Sequence, residues 1–177
     1  MIYFVTKNRH KYEEAKKIIK EIKILSLSYP EIQADNIESV IKFAIEYLKD
    51  KIEEKFFIED SGLFIEELKG FPGAFSSYVF KTIGNQGILK LMENVKNRNA
   101  KFVSIVGYFN GSLHIFKGEC QGKISYKIRG NKGFGYDPIF IPNGCKKTFG
   151  EMEIEEKNKY SHRGKSIRKF KEYLNTK

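Results

Sequence analysis

The chain is poor in cysteine and histidine, and the few that occur form no recognisable site. Among its 177 residues are two cysteines and three histidines. Cys120 and Cys145 make no Cys-x-x-Cys pair and the histidines are scattered, so a structural zinc site is not expected. A single disulfide stays an open alternative, but nothing in the pattern requires an oxidising compartment. No Ser-His-Asp or Cys-His arrangement indicates covalent catalysis.

Long apolar runs are absent as well. No run approaches the length that spans a membrane, and the N-terminus is typical of a strand rather than of a signal peptide. Hydrophobic residues make up 41% and aromatics 14%, which excludes wholesale disorder. The length predicts one domain, residues 1–177, with a sizeable core. We expect a soluble, cytoplasmic protein without a membrane partner.

Basic residues exceed acidic ones by 32 to 22, which gives a formal charge of +10. Such an excess is often a sign of nucleic-acid binding. Here most of it is lysine spread along predicted helix faces and loops, which favours an ordinary solvated surface. A positive field also attracts small polyanions such as triphosphates. We therefore expect no stable nucleic-acid partner.

Apolar periodicity predicts alternating strands and helices in the first half and a hairpin in the second. The Asn110-Gly111 pair between two apolar runs is a strong signal for a two-residue hairpin turn. Together these patterns predict an α/β fold, with a mixed sheet and helices packed against it. The predicted strands are 2–5, 23–27, 56–59, 102–109, 112–116 and 123–128, and the predicted helices are 12–22, 37–48, 85–95 and 161–174.

The most informative stretch alternates aromatics with glycines around one carboxylate: Gly133-Phe134-Gly135-Tyr136-Asp137. A structural turn needs glycine where φ is positive, but it does not need aromatic rings between the glycines. The arrangement suits a surface on which a flat ring stacks, with backbone close by and a carboxylate at the edge. The alternative is a plain β-turn that enters the apolar strand after it.

Asp60 comes at the end of a predicted buried strand, in the acidic turn 59–62, where α/β proteins often carry their sites. Its carboxylate is a candidate Mg²⁺ ligand, a candidate general base for a water molecule, or both. The alternative is an Asp that caps a turn through its own backbone. Because side chains alternate along a strand, Glu59 is expected to face away from this site.

A Mg²⁺ ion that holds a triphosphate needs only one or two protein carboxylates. Glu31, which follows Pro30 in a loop, is the preferred second ligand. Glu38 is the alternative, but its place in the first turn of a helix is explained by the helix dipole.

Several cations lie where phosphates are expected. Lys11 stands near a helix start, just after Thr6 and Asn8, where the helix dipole favours an anion rather than a lysine. The glycines of a Walker loop are missing. Lys42 borders an apolar helix face, and its head group could reach a cleft. Arg163 offers a guanidinium fork that matches phosphate, and the adjacent histidine could hydrogen-bond a base or a phosphate.

Four islands in this order, 6–11, 59–63, 133–140 and 161–165, resemble the non-standard purine nucleoside triphosphate pyrophosphatases, the inosine triphosphatase family, in an archaeal-type form. The resemblance spans nearly the whole chain. It implies Mg²⁺-dependent hydrolysis of ITP, dITP and XTP to the monophosphate and pyrophosphate. It also implies a homodimer whose elongated, twisted sheet is flanked by helices, with a cleft between two lobes.

The resemblance also assigns residues. Asp60 and Glu31 would hold Mg²⁺, with Asp60 as the base. Lys157, His162 or Arg163 would donate to the 6-keto group of the purine, whereas the adenine amino group would meet them donor to donor. The residues expected to bind phosphate are Thr6, Asn8, Lys11, Lys42 and Ser61, with Lys7 as an extra charge on that loop. Those expected around the base are Phe134, Asp137, Lys157, His162 and Arg163. Arg9, His10, Gly135 and Tyr136 complete the expected substrate-binding residues.

Two other functions stay open at the level of the sequence. One is a Maf-type pyrophosphatase that acts on modified pyrimidine nucleotides, although the paired motifs at 133–137 and 161–163 argue against it. The other is a non-enzymatic basic module that binds RNA, which requires exposed aromatics among clustered cations.

Overall fold

The computed structural model describes residues 1–176 and shows a six-stranded mixed sheet with helices on both faces. The strand order is β2-β1-β3-β4-β5-β6; β1 is parallel to β2 and β3, and the other pairs are antiparallel. The strands are β1 (Ile2–Val5), β2 (Ile22–Leu25), β3 (Phe56–Ile65), β4 (Asn99–Phe109), β5 (Leu113–Ile124) and β6 (Phe140–Pro142). The helices are α1 (Arg9–Lys16), α2 (Ile37–Leu48), α3 (Ser76–Thr82), α4 (Gly84–Leu91), α5 (Ile154–Tyr160) and α6 (His162–Asn175). The predicted α/β class is confirmed.

The predicted hairpin is confirmed, but its second strand is longer than predicted. β5 continues unbroken to Ile124, so the two predicted strands 112–116 and 123–128 are one, and residues 125–128 lie outside the sheet. Gly118 and Gly122, which lie between the two predicted strands, do not interrupt β5. A Cβ on Gly118 would lie 2.1 Å from the carbonyl oxygen of His162, so this glycine lets α6 pack directly on the strand.

The predicted turn after residue 59 is wrong. β3 continues through Asp60 and Ser61, which pair with Ile105 and Ser104 of β4. Gly62 is required for a different reason: a Cβ there would lie 2.3 Å from the carbonyl oxygen of residue 73. Asp60 therefore projects from the middle of a long strand, held by ladder hydrogen bonds on β4, rather than from a flexible turn.

The first predicted helix is too long. α1 ends at Lys16, and a short turn leads into β2. Lys16 Nζ closes that turn by donating to the carbonyl oxygens of Lys20 and Ile22 at 2.5 and 2.8 Å. Ile22, predicted as a helix position, packs from β2 into the same apolar cluster as Ala15 of α1. Helices α3 and α5 were not predicted, because each is only seven residues long.

The buried apolar side chains form three clusters that divide the sheet into two ends. Two of them lie on opposite faces around β1 and the first half of β3, one under α2 and one under α1 and α6. The third covers the second half of β3 and the adjoining ends of β4 and β5. No helix within residues 1–176 is long and apolar enough to cross a membrane.

Candidate active site

A cleft of about 890 Å³ lies between the two ends of the sheet and gathers residues from all four sequence islands. The loop from β1 to α1, the middle of β3, the aromatic turn and the start of α6 all line it. The predicted site residues that line the cleft are Thr6, Lys7, Asn8, Arg9, His10, Lys11, Glu31, Asp60, Ser61, Phe134, Gly135, Tyr136, Asp137, His162 and Arg163.

The loop from β1 to α1 has a fixed shape. The hydroxyl of Thr6 accepts a hydrogen bond from the backbone N–H of Asn8 at 3.1 Å. The side chain of Asn8 in turn caps α1 by accepting from the N–H of Lys11 at 3.2 Å. The helix start therefore faces the cleft in a set orientation, which is the arrangement that favours a bound anion.

Lys11 reaches across to β3 and joins this loop to the carboxylates. Its Nζ lies 3.1 Å from Oε2 of Glu59 and 3.7 Å from Oδ1 of Asp60, and it donates to the carbonyl oxygen of Glu59 at 3.1 Å. Glu59 was expected to face away from the site, but it lines the same cleft, and its buried carboxylate pairs with Lys11. Because the side chain of Lys11 is only 16% exposed, its position is well defined.

Asp60 presents a partly open carboxylate to the cleft. Its side chain is 34% exposed, and Oδ1 accepts from the N–H of Ser61 at 2.9 Å. Burial raises the pKa of this carboxyl; Lys11 opposes the rise, and Glu59 and Glu31 add to it. The ionised carboxylate is therefore less stable here than in water. Such a perturbed group is typical of residues that bind a metal, accept a proton or contact a substrate.

Glu31 lines the same cleft and is electrostatically coupled to Asp60. Within residues 1–176 there is no group of three or more Asp, Glu, His or Cys that could hold a metal alone. Two carboxylates fit Mg²⁺ that takes its other oxygens from water and phosphate. The alternative ligand, Glu38, is instead paired with Lys42 at 2.6 Å.

Lys42 does not reach the cleft in this structure. Its side chain is 58% exposed, and the same helix lines the cleft with apolar side chains instead. We expect Lys42→Ala to leave kcat/KM for a triphosphate substrate unchanged within error. Lys11→Ala, measured beside it in the same steady-state assay, should lower kcat/KM strongly, because it removes the cation nearest to Asp60. Equal losses in the two variants would contradict this placement.

The aromatic turn presents Phe134 as a flat platform. Gly133 and Gly135, on either side, have φ of 70° and 59°, a region that side chains disfavour. The N–H of Phe134 donates to Oδ2 of Asp137 at 3.0 Å, which fixes the turn. The ring of His10 stacks on Phe134, with 5.2 Å between centroids and 18° between planes. A turn that served only to connect two elements would need no such platform.

Under this platform lies a buried charge network. Lys157 Nζ contacts Oε1 of Glu14 at 2.5 Å and Oδ2 of Asp137 at 2.7 Å. Arg163 lies 2.7 Å from Oε2 of Glu14 and 3.1 Å from Oε2 of Glu59. The two cations also lie 5.0 and 5.2 Å from the centre of the Phe134 ring. Two buried cations thus share three buried carboxylates, with Lys11 as a third cation on Glu59, and the network holds the platform in place.

The network changes the interpretation of Lys157 and Arg163. Both side chains are almost fully buried, and Lys157 does not line the cleft. Arg163 donates to the hydroxyl of Ser61 at 2.8 Å, so it orients a cleft residue. Their direct contact with a base stays a prediction. What the structure shows is that they fix Phe134, Ser61 and Asp137.

His162 is the base-reading candidate with a free atom. It is buried, stacks on Phe102 with 4.4 Å between centroids and 9° between planes, and lines the cleft. Its Nδ1 is buried and finds no hydrogen-bond partner among residues 1–176. Burial, and next the charge of Arg163, lower its pKa well below the ordinary value. The imidazole is therefore neutral, and one of its nitrogens is left without a hydrogen-bond partner in the described part of the chain.

Glu14 is the residue that sequence reasoning missed. Within α1 it lies three positions after Lys11 and next to buried Ala15, so its carboxylate falls on the inner face of the helix. No local signal marks it, because residues one helical turn away, His10, Lys11 and Lys17, are polar as well. Its pKa is lowered: burial opposes ionisation, but Arg163 and Lys157 more than offset burial.

We expect Glu14→Gln to lower the free energy of unfolding by about 3 kcal/mol at pH 7, because two buried cations lose a shared partner. A depressed pKa stabilises the fold above the unfolded value of 4.5, and this contribution disappears as the pH falls through the folded-state pKa. The difference from the wild type should therefore shrink in urea melts at pH 3. Glu13→Gln is the matched control, since Glu13 is 46% exposed and lies 4.0 Å from Arg9. Similar losses for both variants would contradict the prediction.

A fold and cleft of this kind define a class: an α/β protein that binds nucleotides and acts on their phosphates. A loop at a helix N-terminus, the carboxylates of Asp60 and Glu31, and a cation-backed aromatic ring meet in one cavity. The chain belongs to the Ham1 family, whose model matches residues 2–173.

Comparison with known proteins agrees with this class. The chain is 53% identical over 175 residues to a protein of Thermococcus kodakarensis named dITP/XTP pyrophosphatase, covering 97% of this chain and 95% of that one. It is 54% identical over 178 residues to a protein of the same name from Pyrococcus horikoshii, covering 98% and 96%. Among solved structures, a HAM1 protein from Coxiella burnetii matches with a TM-score of 0.86 at 26% identity, covering 99% of this chain and 98% of that one.

Proposed function

We propose that this protein is a hydrolase that converts non-standard purine nucleoside triphosphates, ITP, dITP and XTP, to the monophosphate and pyrophosphate, and so cleanses the nucleotide pool. The observation that carries the proposal is the union, in one cleft, of a phosphate loop and two carboxylates with the Phe134 platform. The names of the relatives from Thermococcus and Pyrococcus support the same substrates.

The phosphates are assigned to the loop of residues 6–11. There the N-terminal N–H groups of α1 and the Lys11 ammonium offset the charge of the triphosphate. Asp60 takes the proton of the attacking water, which approaches the α phosphorus. Mg²⁺, held by Asp60 and Glu31, would neutralise charge that develops on the phosphate oxygens. The raised pKa of Asp60 makes its carboxylate a better proton acceptor than an ordinary aspartate.

The base is assigned to the face of Phe134 that His10 covers. At 5.2 Å between ring centres there is no room for a third ring, since two stacking distances add up to about 7 Å. When a purine enters, the His10 ring must therefore move away from Phe134. It then either leaves the base or stacks on the other face of the base. The unpartnered Nδ1 of His162, in the tautomer that carries its proton, donates to the 6-keto oxygen. Adenine presents a donor at that position and is disfavoured.

Two alternatives from the sequence lose support. The Ham1 model covers nearly the whole chain, which argues against a Maf-type pyrophosphatase of modified pyrimidines. Relatives named as pyrophosphatases argue against a non-enzymatic RNA module as the main function. We retain as proposals a single domain, a cytoplasmic location and a homodimer. Exposed apolar side chains around α3 support the homodimer, namely Phe71, Phe75, Tyr78, Phe80 and Ile83.

The deciding experiment measures the products released from a panel of triphosphates, with Mg²⁺ and with EDTA. We expect pyrophosphate from ITP, dITP and XTP, much slower release from ATP, and no turnover in EDTA. Orthophosphate as the first product would place the attack on the γ phosphorus and overturn the proposal. Preference for a modified pyrimidine triphosphate would favour the Maf-type alternative.

A further inference from the structure

A second groove of about 630 Å³ lies at the other end of the sheet and shares no residue with the candidate active site. Two segments line most of it: residues 96–99, which lead into β4, and residues 123–129, which leave β5. They are distant in sequence and adjacent in space, because β4 and β5 pair along their whole length.

The groove carries an uncompensated positive charge. Its lining includes five cations, Lys96, Arg98, Lys123, Lys127 and Arg129, and no carboxylate. In the described part of the chain only Arg129 has an acidic partner, Glu151 at 2.9 Å. The other four lie more than 4.0 Å from every carboxylate of residues 1–176. Such a surface attracts a polyanion.

One exposed aromatic ring lies among these cations. Tyr126 is 79% exposed, and its ring centre lies 4.4 Å from the guanidinium of Arg98. Arg98 is buried and donates to the carbonyl oxygens of Met92, Ile124 and Ser125 at 2.7, 3.0 and 2.6 Å. Arg98 is therefore immobilised, and it supports one face of the tyrosine ring while the other face stays in water.

We propose that this groove binds single-stranded nucleic acid, with a base stacked on the free face of Tyr126 and phosphates on Lys123, Lys127 and their neighbours. A supported aromatic ring within a track of cations is the usual composition of sites for single strands. An inorganic anion would make no use of the ring, whereas every base of a single strand offers a flat face for it. The sequence indicated no nucleic-acid partner because its lysines are scattered, but the fold gathers cations from two segments.

The test is the fluorescence anisotropy of a labelled twelve-residue oligothymidylate, titrated with the full chain at several salt concentrations. Tyr126→Ala should weaken binding by about 5- to 150-fold, and Tyr126→Phe, which keeps the ring, should restore most of it. Lys123→Gln/Lys127→Gln should reduce the slope of log K against log salt by about 1.4, since each phosphate contact on a single strand contributes about 0.7.

The controls separate this groove from other basic surfaces. Lys20→Gln/Lys23→Gln removes the same charge at the β2 edge of the sheet, and Phe134→Ala alters the first cleft; both should keep the wild-type affinity and salt slope. Absent binding in the wild type, or binding unaffected by Tyr126→Ala, would overturn the proposal. Displacement of the oligonucleotide by AMP at equal phosphate concentration would also overturn it, because the groove would then recognise a free nucleotide.

Discussion

Asp60→Asn is expected to lower kcat by at least about 10³-fold, the largest effect of any single substitution in this cleft. The amide keeps the shape of the side chain but loses both the charge that binds a metal and the capacity to accept a proton, each of which contributes substantially. The measurement is pyrophosphate release from ITP at saturating Mg²⁺, with Asp60→Asn and the wild type assayed side by side.

The fold should survive this substitution. Because the pKa of Asp60 is raised, its ionised form is less favourable in the folded chain than in the unfolded one. Replacing it with a neutral amide should therefore leave the melting temperature unchanged or raise it. Asp35→Asn, outside the cleft, is the matched control and should retain full activity. A fully active Asp60→Asn would mean that this residue only accepts the N–H of Ser61.

The second large effect concerns base recognition, and it separates two kinds of residue. Phe134→Ala should lower kcat/KM by about 5- to 150-fold with little preference among bases, since every base offers a face for stacking. His162→Phe preserves the ring that stacks on Phe102 but removes both nitrogens. It should reduce the ITP/ATP ratio of kcat/KM by about tenfold or more, because only keto purines lose a hydrogen bond.

The comparison uses one kcat/KM table for the two variants with ITP, XTP and ATP. An unchanged ITP/ATP ratio in His162→Phe would show that another group reads the base. Arg163→Ala is not a clean alternative, because it leaves Glu14 and Glu59 without their shared cation and threatens the fold.

The sequence predicted the fold well wherever local pattern and tertiary structure agree. The Asn110-Gly111 turn and α6 are examples, since turn chemistry and apolar spacing specify them locally. It failed at Gly62, which was predicted to lie in a turn, and it gave no role to Gly118; both glycines serve the close packing of a carbonyl or a helix rather than a chain reversal. Nothing in the local sequence distinguishes these two uses of glycine, because the partner atoms come from elsewhere in the chain.

The candidate site shows the same division. The motifs at 6–11, 60–61 and 134–137 mark residues that line one cleft. The sequence resemblance assigned Lys157 and Arg163 to the base, which stays a prediction, but it did not indicate that both contact the carboxylates of Glu14, Asp137 and Glu59. A cation's partner depends on tertiary contacts over long separations, which periodicity and spacing do not encode.

The charge network around Glu14 also affects the stage of folding at which the cleft becomes able to bind substrate. Its hydrogen bonds join residues 143 and 149 positions apart, so they form only after α5 and α6 have docked on the N-terminal helix. Contacts of such sequence separation close late in folding. A refolding chain should therefore regain its sheet before it regains a working cleft. Local unfolding of the C-terminal helix α6 should abolish activity, while most amide protons of β3 and β4 are still protected from exchange.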